Sequence, residues 1–211
     1  MESISLPEDL WTLRIEKPGQ KVWSNAQGDA RSLNFFNVVP DLAANLIPEN
    51  LHILRNDFRS KIPAGEGGLV SLDLVNIQNI SALQIIIKVR IEQIRGFMYA
   101  GSCLIPRADF SHVIRFECIE RSPTGLREAM VMMVNKQFTG NLETGKIIGW
   151  NRDPYDPAFD ETAMYNFADE EIHDAQFPDH PLTRVRQHMR TLSQSIVFDP
   201  LVLKSKPFQK K

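Results

Sequence analysis

From Gly68 to Glu120 the chain offers one strand-like segment after another, separated only by short turns. No other feature restricts the fold as much. Leu69, Ser71, Asp73 and Val75 alternate with Val70, Leu72 and Leu74, and residues 76–81 form a polar connection. Segment 83–94 sets Ile85, Ile87, Val89 and Ile91 against Ile86, Lys88, Arg90 and Glu92. Successive side chains of a strand point to opposite faces, so this alternation predicts half-buried antiparallel strands. Gly96 turns the chain. Strands are expected over 97–105 and 111–120, with His112, Ile114, Phe116 and Cys118 on one face. After the turn Ser122-Pro123-Thr124-Gly125, the apolar run 128–134 reads as a further buried strand. That gives five or six antiparallel strands within 68–148.

The ends of the chain differ. Before the run, short strands are expected around Leu13, Val22 and Leu33, parted by turns at Lys17-Pro18-Gly19-Gln20 and at 25–29. A short helix capped by Asp41 is expected over 42–46. A longer one follows, with Leu51, Leu54, Phe58 and Ile62 at spacings of three and four. Near the C-terminus Leu182, Val185, Met189, Leu192 and Ile196 repeat at three and four. One apolar stripe therefore faces the core over 181–196. Pro181 suits the first helical position and His180 or Asp179 the cap. The class is α+β: an antiparallel β-sheet with helices packed on one side, a C-terminal strap and an amphipathic helix. The expected organisation is a core domain over 1–148 and a docked extension over 149–199, with the strap at 149–180. A basic tail is expected at 200–211, and its last eight residues, 204–211 with four lysines, are expected to fray. No β-α-β alternation or dinucleotide glycine pattern is present.

Candidate chemistry crowds into 149–196. His173, Asp174, Asp179 and His180 are imidazole and carboxylate ligand types, which allows an alternative reading as a metal-assisted hydrolase. Their spacing matches no H-E-x-x-H or EF-hand pattern. Turn, cap and ion-pair duties account for the same residues. Arg184, Arg186 and Arg190 face an acidic stretch that includes Asp169 and Glu170, and the two sets form a candidate partner-binding surface. Internal pairing among them is weighed above partner binding. Arg127, beside Gly125, suggests a carboxylate or phosphate loop, but a turn is the better reading. Cys103 and Cys118 lie in expected strands with His112 between them, and buried, inert thiols are a better reading than a nucleophilic Cys-His pair, which needs an exposed thiolate. No catalytic residue and no cofactor are expected.

With a net charge of -2, the whole chain is not expected to bind nucleic acid or an anionic membrane. The first residues lack a secretory pattern, and no apolar stretch is long enough to span a bilayer. The expectation is a cytoplasmic protein.

The segments Gly67-Gly68-Leu69-Val70-Ser71-Leu72, Ile87-Lys88-Val89, Phe97-Met98-Tyr99-Ala100-Gly101-Ser102 and Glu120 through Glu128 follow a familiar order of strands and turns. Over roughly residues 10–138 the chain resembles the PsbP/DcrB/Mog-type α/β domains. That resemblance implies an antiparallel sheet with helices on one side. It also implies non-enzymatic work such as partner binding, chaperoning or assembly support. No site residue carries over, because the group shares no catalytic motif. A secretion-associated adaptor or chaperone, or an immunity-type partner, fits these readings. Residues 149–199 depart from the group.

Overall fold

The computed structural model describes residues 3–63, 65–121, 123–135, 138, 140, 147, 149–156, 158 and 164–210. Its centre is a seven-stranded antiparallel sheet in the order β2-β3-β4-β8-β7-β6-β5. The first meander is β2 (Thr12–Lys17), β3 (Gln20–Ser24) and β4 (Ala30–Phe36). The second is β5 (Gly67–Ile77), β6 (Ile80–Ile91), β7 (Gly96–Pro106) and β8 (Ser111–Ile119). They join where β4 pairs with β8, Leu33 lying opposite Ile114. The β5–β6 ladder runs on to Ile77 opposite Ile80, into the stretch 76–81 expected to be a connection. Gln78 and Asn79 alone make the turn, both at positive φ (50° and 67°). A two-residue hairpin needs that geometry to match the twist of its strands. The side chain of Asn76 accepts the Asn79 N–H at 3.0 Å and holds the turn.

Helix α1 (Leu51–Ser60) follows the expected stripe. Pro40–Leu46 is not helical, although a short helix was expected there. Five residues give too few hydrogen bonds to offset nucleation, and Leu42 and Ala44 instead insert into the core. Helix α2 (Leu126–Val134) occupies the run expected to be a strand, so the second meander has four strands among the described residues. Arg127 and Val131, one turn apart, are its buried residues. Helix α3 (Pro181–Ser195) begins as expected, with His180 Nδ1 accepting the Leu182 N–H at 3.3 Å.

Strand alternation sorts the core onto two faces. Ala82, Ile86, Tyr99, Cys103, Ile105, Ile114 and Phe116 share a cluster with Leu182, Val185, Met189 and Leu192 of α3. The long helix therefore lies on one side of the sheet, and α2 reaches the same face through Glu128. Gly101 permits the close approach, since a Cβ there would lie 2.6 Å from Val185 Cγ1. The opposite face carries Leu69, Leu72, Leu83 and Ile85, with Leu54 of α1 as a smaller cover near the β5 edge.

The ends are tied to this body. Strand β1 (Ile4–Ser5) pairs with β9 (Val197–Phe198) just after α3. Residues 204–211 were expected to fray, but 204–210 are docked. Asp199 caps α4 (Pro200–Lys204) by accepting the Leu201 N–H at 2.8 Å. Val202 is buried, the Arg107 side chain donates to Ser205 Oγ at 2.7 Å, and Phe208 packs on the α1-side cluster. Apolar anchors decide the outcome over the lysines. Among the described residues no helix is long and apolar enough to cross a membrane.

Candidate functional site

Lys88 lies on β6 in the alternation that places Ala82, Gln84 and Ile86 beneath α3, and it is fully buried. The sequence pattern put it on a polar face, but both faces of β6 are covered. Its ammonium meets Asp169 at 3.0 Å and Glu128 at 3.3 Å, and lies 4.3 Å from the Phe97 ring centroid. Asp169 is held in turn by the Tyr99 hydroxyl at 3.0 Å and the Asn166 N–H at 3.0 Å. The latter belongs to a capping box on the 3-10 turn Phe167–Asp169. Burial and the Asp169 carboxylate push the Tyr99 phenol well above its ordinary range.

Arg127 extends this cluster into a hub. From Leu126–Val134 it reaches inward and is 1% exposed. Its Nε donates to the Ala168 carbonyl at 2.6 Å, and Nη1 to Thr183 Oγ1 at 3.1 Å. Nη2 donates to the Glu170 carbonyl and to Asp174, each at 2.9 Å. Arg186 of α3 donates to the same Asp174 oxygen at 2.8 Å and to the Asp169 carbonyl at 2.6 Å. The suggested carboxylate loop at Arg127 thus takes a carboxylate from its own chain.

The sequence-derived surface residues separate. Arg184, two residues before Arg186 on α3, is buried on another side of the helix, bound to Asp29 at 2.8 Å and to the Asp179 carbonyl. Arg186 and Asp169 are buried in the hub. These three are therefore not exposed binding residues. Arg190 stays exposed and pairs with Glu171, while Glu170 is half-buried and pairs with Arg152. Phe159, Asp160 and Glu161 of the expected strap lie outside the described residues.

The four expected metal ligands are not brought together. Asp174 is committed to two arginines, Asp179 is exposed, and His173 packs on Phe167 at 5.3 Å. Among the described residues, side-chain ligand atoms converge within 4.8 Å in two other places. One is Asp29, Cys118 and His188, where Asp29 is already gripped by Arg184. The other is Glu120, Glu128 and His180. There both Glu120 oxygens accept backbone N–H groups, from Phe97 at 3.1 Å and Gly125 at 2.6 Å. Because His180 Nδ1 accepts the α3 cap bond, its proton sits on Nε2, which is then a donor and not a ligand. Burial, with Arg127 and Lys88 nearby, pulls His180 down to about 3. Burial also raises Glu120, against those two backbone bonds. Cys103 is buried as expected, and burial pushes its thiol up to about 12.

The exposed surface has its own signal. Leu126, Met130, Met133 and Val134 of α2 are 49%, 48%, 80% and 78% exposed. They fall at i, i+4, i+7 and i+8, one face of the helix. Ile172, 75% exposed, lies on the 3-10 segment Glu171–Gln176, which Arg127 ties down through Asp174. The sequence alone hid this face, because a strand reading of 128–134 distributes the same residues over two sides.

No protein-family model and no curated protein matches the chain. Among solved structures it is similar to a mutant of the protein Mog1, at 11% identity and a TM-score of 0.43, over 61% of this chain and 78% of that one. It is also similar to a protein from Bacteroides thetaiotaomicron, at 11% identity and a TM-score of 0.35, over 58% of this chain and 39% of that one. A third is LpqN, involved in cell envelope biogenesis of Mycobacterium tuberculosis, at 16% identity and a TM-score of 0.29, over 62% and 76%. The expected resemblance to Mog1/PsbP-type α/β folds holds at this level of architecture, and it concerns the fold alone.

Proposed function

We propose that the chain is a protein-binding module with no catalytic role of its own. The observation that carries this reading is the exposed apolar face of α2, Leu126, Met130, Met133 and Val134. Scattered exposed apolar residues are ordinary, but a contiguous helical face is a recurrent mark of a binding surface. Methionines suit it because their unbranched side chains repack against a partner. Arg190 and Glu170, still at the surface, form the polar rim in this proposal. Arg186 and Asp169 hold the platform from behind, and Arg184 serves a separate pairing with Asp29. We also propose that 149–199 docks on a core formed by 1–148, in keeping with the Lys88–Asp169 pair that joins them. A cytoplasmic secretion-associated adaptor or chaperone, or an immunity-type protein, is the finer form of this reading.

A photo-crosslinking residue placed at Met133 in the native host tests it. One predominant protein adduct is expected, and it should vanish in a Met130→Glu, Val134→Glu variant that keeps its circular dichroism. A folded chain that gives no protein adduct from Met133 would sink the proposal.

A further inference from the structure

A cavity of about 210 Å³ opens between the N-terminal segment, the β4–β8 junction and the last turns of α3. Leu10, Trp11, Arg31, Phe116, His188 and Thr191 line it. Arg31 stands on β4 in register with Trp23 on one side and Phe116 on the other, so its side chain faces α3. It is 3% exposed. Its guanidinium carbon lies 4.7 Å from the Trp11 ring centroid and 4.5 Å from that of Trp23.

Only one nitrogen of this guanidinium has an acceptor among the described residues: Nη1 donates to the Pro7 carbonyl at 2.7 Å. Nε and Nη2 are buried and have none. These two N–H groups leave the same edge of the guanidinium. Together they form the fork that grips a carboxylate through two parallel hydrogen bonds. The surrounding acids serve elsewhere. Glu8 accepts the Trp23 indole N–H at 3.3 Å, and Asp29 is held by Arg184 and by His188 Nε2 at 3.1 Å. Asp9 lines the cavity and supplies a local negative charge. Burial pulls Arg31 down to about 10, with Glu8 opposing, so the cation persists at neutral pH at a desolvation cost. Buried polar groups in native proteins are nearly always paired, so a vacant fork beside a cavity points to an acceptor from outside.

The walls define what carries that acceptor. His188 stacks on Phe116 at 5.1 Å and 17°, and Trp11 lies 5.9 Å from Phe116. We propose that this cavity binds a small carboxylic acid bearing a flat apolar group, with Arg31 Nε and Nη2 on the carboxylate and Trp11 and Phe116 against the ring. The site is separate from the α2 face, so it does not rest on the protein-binding reading.

Titration of the full chain with benzoate and phenylacetate, followed by calorimetry and indole fluorescence, tests the proposal. Saturable binding of at least one acid is expected, with uncharged benzamide and inorganic phosphate weaker by roughly tenfold or more. Arg31→Met should abolish it. Because Arg31 packs between two indoles, Thr191→Trp on the exposed rim provides an independent block that leaves the core intact. Asp9→Asn should tighten binding by removing a like charge. The proposal is overturned if folded wild-type chain binds neither acid saturably. Phosphate binding as tightly as the acids would overturn it too, as would a folded Thr191→Trp variant that still binds.

Discussion

Arg127 and Arg31 are buried almost equally, at 1% and 3% exposure, yet their surroundings differ in kind. Arg127 places each of its three nitrogens on an acceptor of its own chain: two carbonyls, a hydroxyl and the Asp174 carboxylate. Arg31 has two indole faces and one carbonyl, and two of its nitrogens have no acceptor among the described residues. The first arrangement is complete, so it is architecture: it fastens α2 to the 3-10 segments and to α3. The second is incomplete among the described residues, and the proposed carboxylate would complete it. Burial alone does not separate structural charges from functional ones; a count of satisfied donors does.

The strongest way to break this comparison is to remove each cation. Arg127→Met strands two buried carbonyls and leaves Asp174 with Arg186 alone, and losing one member of a buried charged network costs about 3–5 kcal/mol. Arg31→Met removes a charge that no carboxylate of the described residues hydrogen-bonds, with Glu8 only a nearby charge, and leaves a flat slot for an apolar chain, so its effect is expected within about 1 kcal/mol of neutral. Urea unfolding of both variants at pH 7 checks the ranking. Equal losses would mean that Arg31 is as complete a structural element as Arg127.

What the sequence revealed follows the same division. Helix α3 was legible because a single stripe from Leu182 to Ile196 repeats locally. The β5–β6 hairpin was legible because alternation needs only neighbours. Helix α2 was not, since an all-apolar run such as 129–134 has no period that separates helix from strand. The internal partners of Asp169, Arg184 and Arg186 come from positions far apart in the chain, such as Asp29 with Arg184. Charges at such separations carry no spacing signal. Lys88 looked like the polar side of a half-buried strand, because nothing near it in sequence announces the helix above. Arg31 drew no attention for a similar reason: its two indoles come from β3 and from the N-terminal segment. The end of the tail was misread because its lysines are conspicuous and its apolar anchor, Phe208, stands among them.

A smaller effect sharpens the hub half of the comparison through pH. His180 is pulled down to about 3, first by burial and then by Arg127, Lys88, Arg184 and Arg186. Its folded value lies below the unfolded value of 6.5. The neutral ring therefore contributes stability that is fully present above pH 6.5 and is lost as pH falls toward 3, by at most about 1.4 kcal/mol per pH unit for one proton. Asn is itself a good N-cap, so His180→Asn should change stability at pH 7 by less than about 1 kcal/mol. It should also flatten the stability profile between pH 6.5 and 4. The profile will not become level, because burial holds His112 down to about 4 and it titrates in the same window. Urea midpoints at half-unit pH steps decide the matter. An unchanged slope would show that the hub's cations do not reach His180.

The smallest effect belongs to a cation outside both regions. Arg190 lies on the same helix as Arg186, four residues further on, and pairs with Glu171. The two side chains are 54% and 66% exposed, so water competes for each and salt screens the pair. Arg190→Ala should therefore shift stability by no more than about 0.5 kcal/mol, and by less at 1 M salt than at low salt. Arg186, one turn earlier, faces Asp174 in the hub and belongs with Arg127 in cost. If Arg190→Ala instead costs as much as about 2 kcal/mol, the 3-10 segment Glu171–Gln176 is clamped from outside as well as from within. The hub would then extend to the surface beside Ile172, and the rim assigned to the partner face would be part of the protein's own frame.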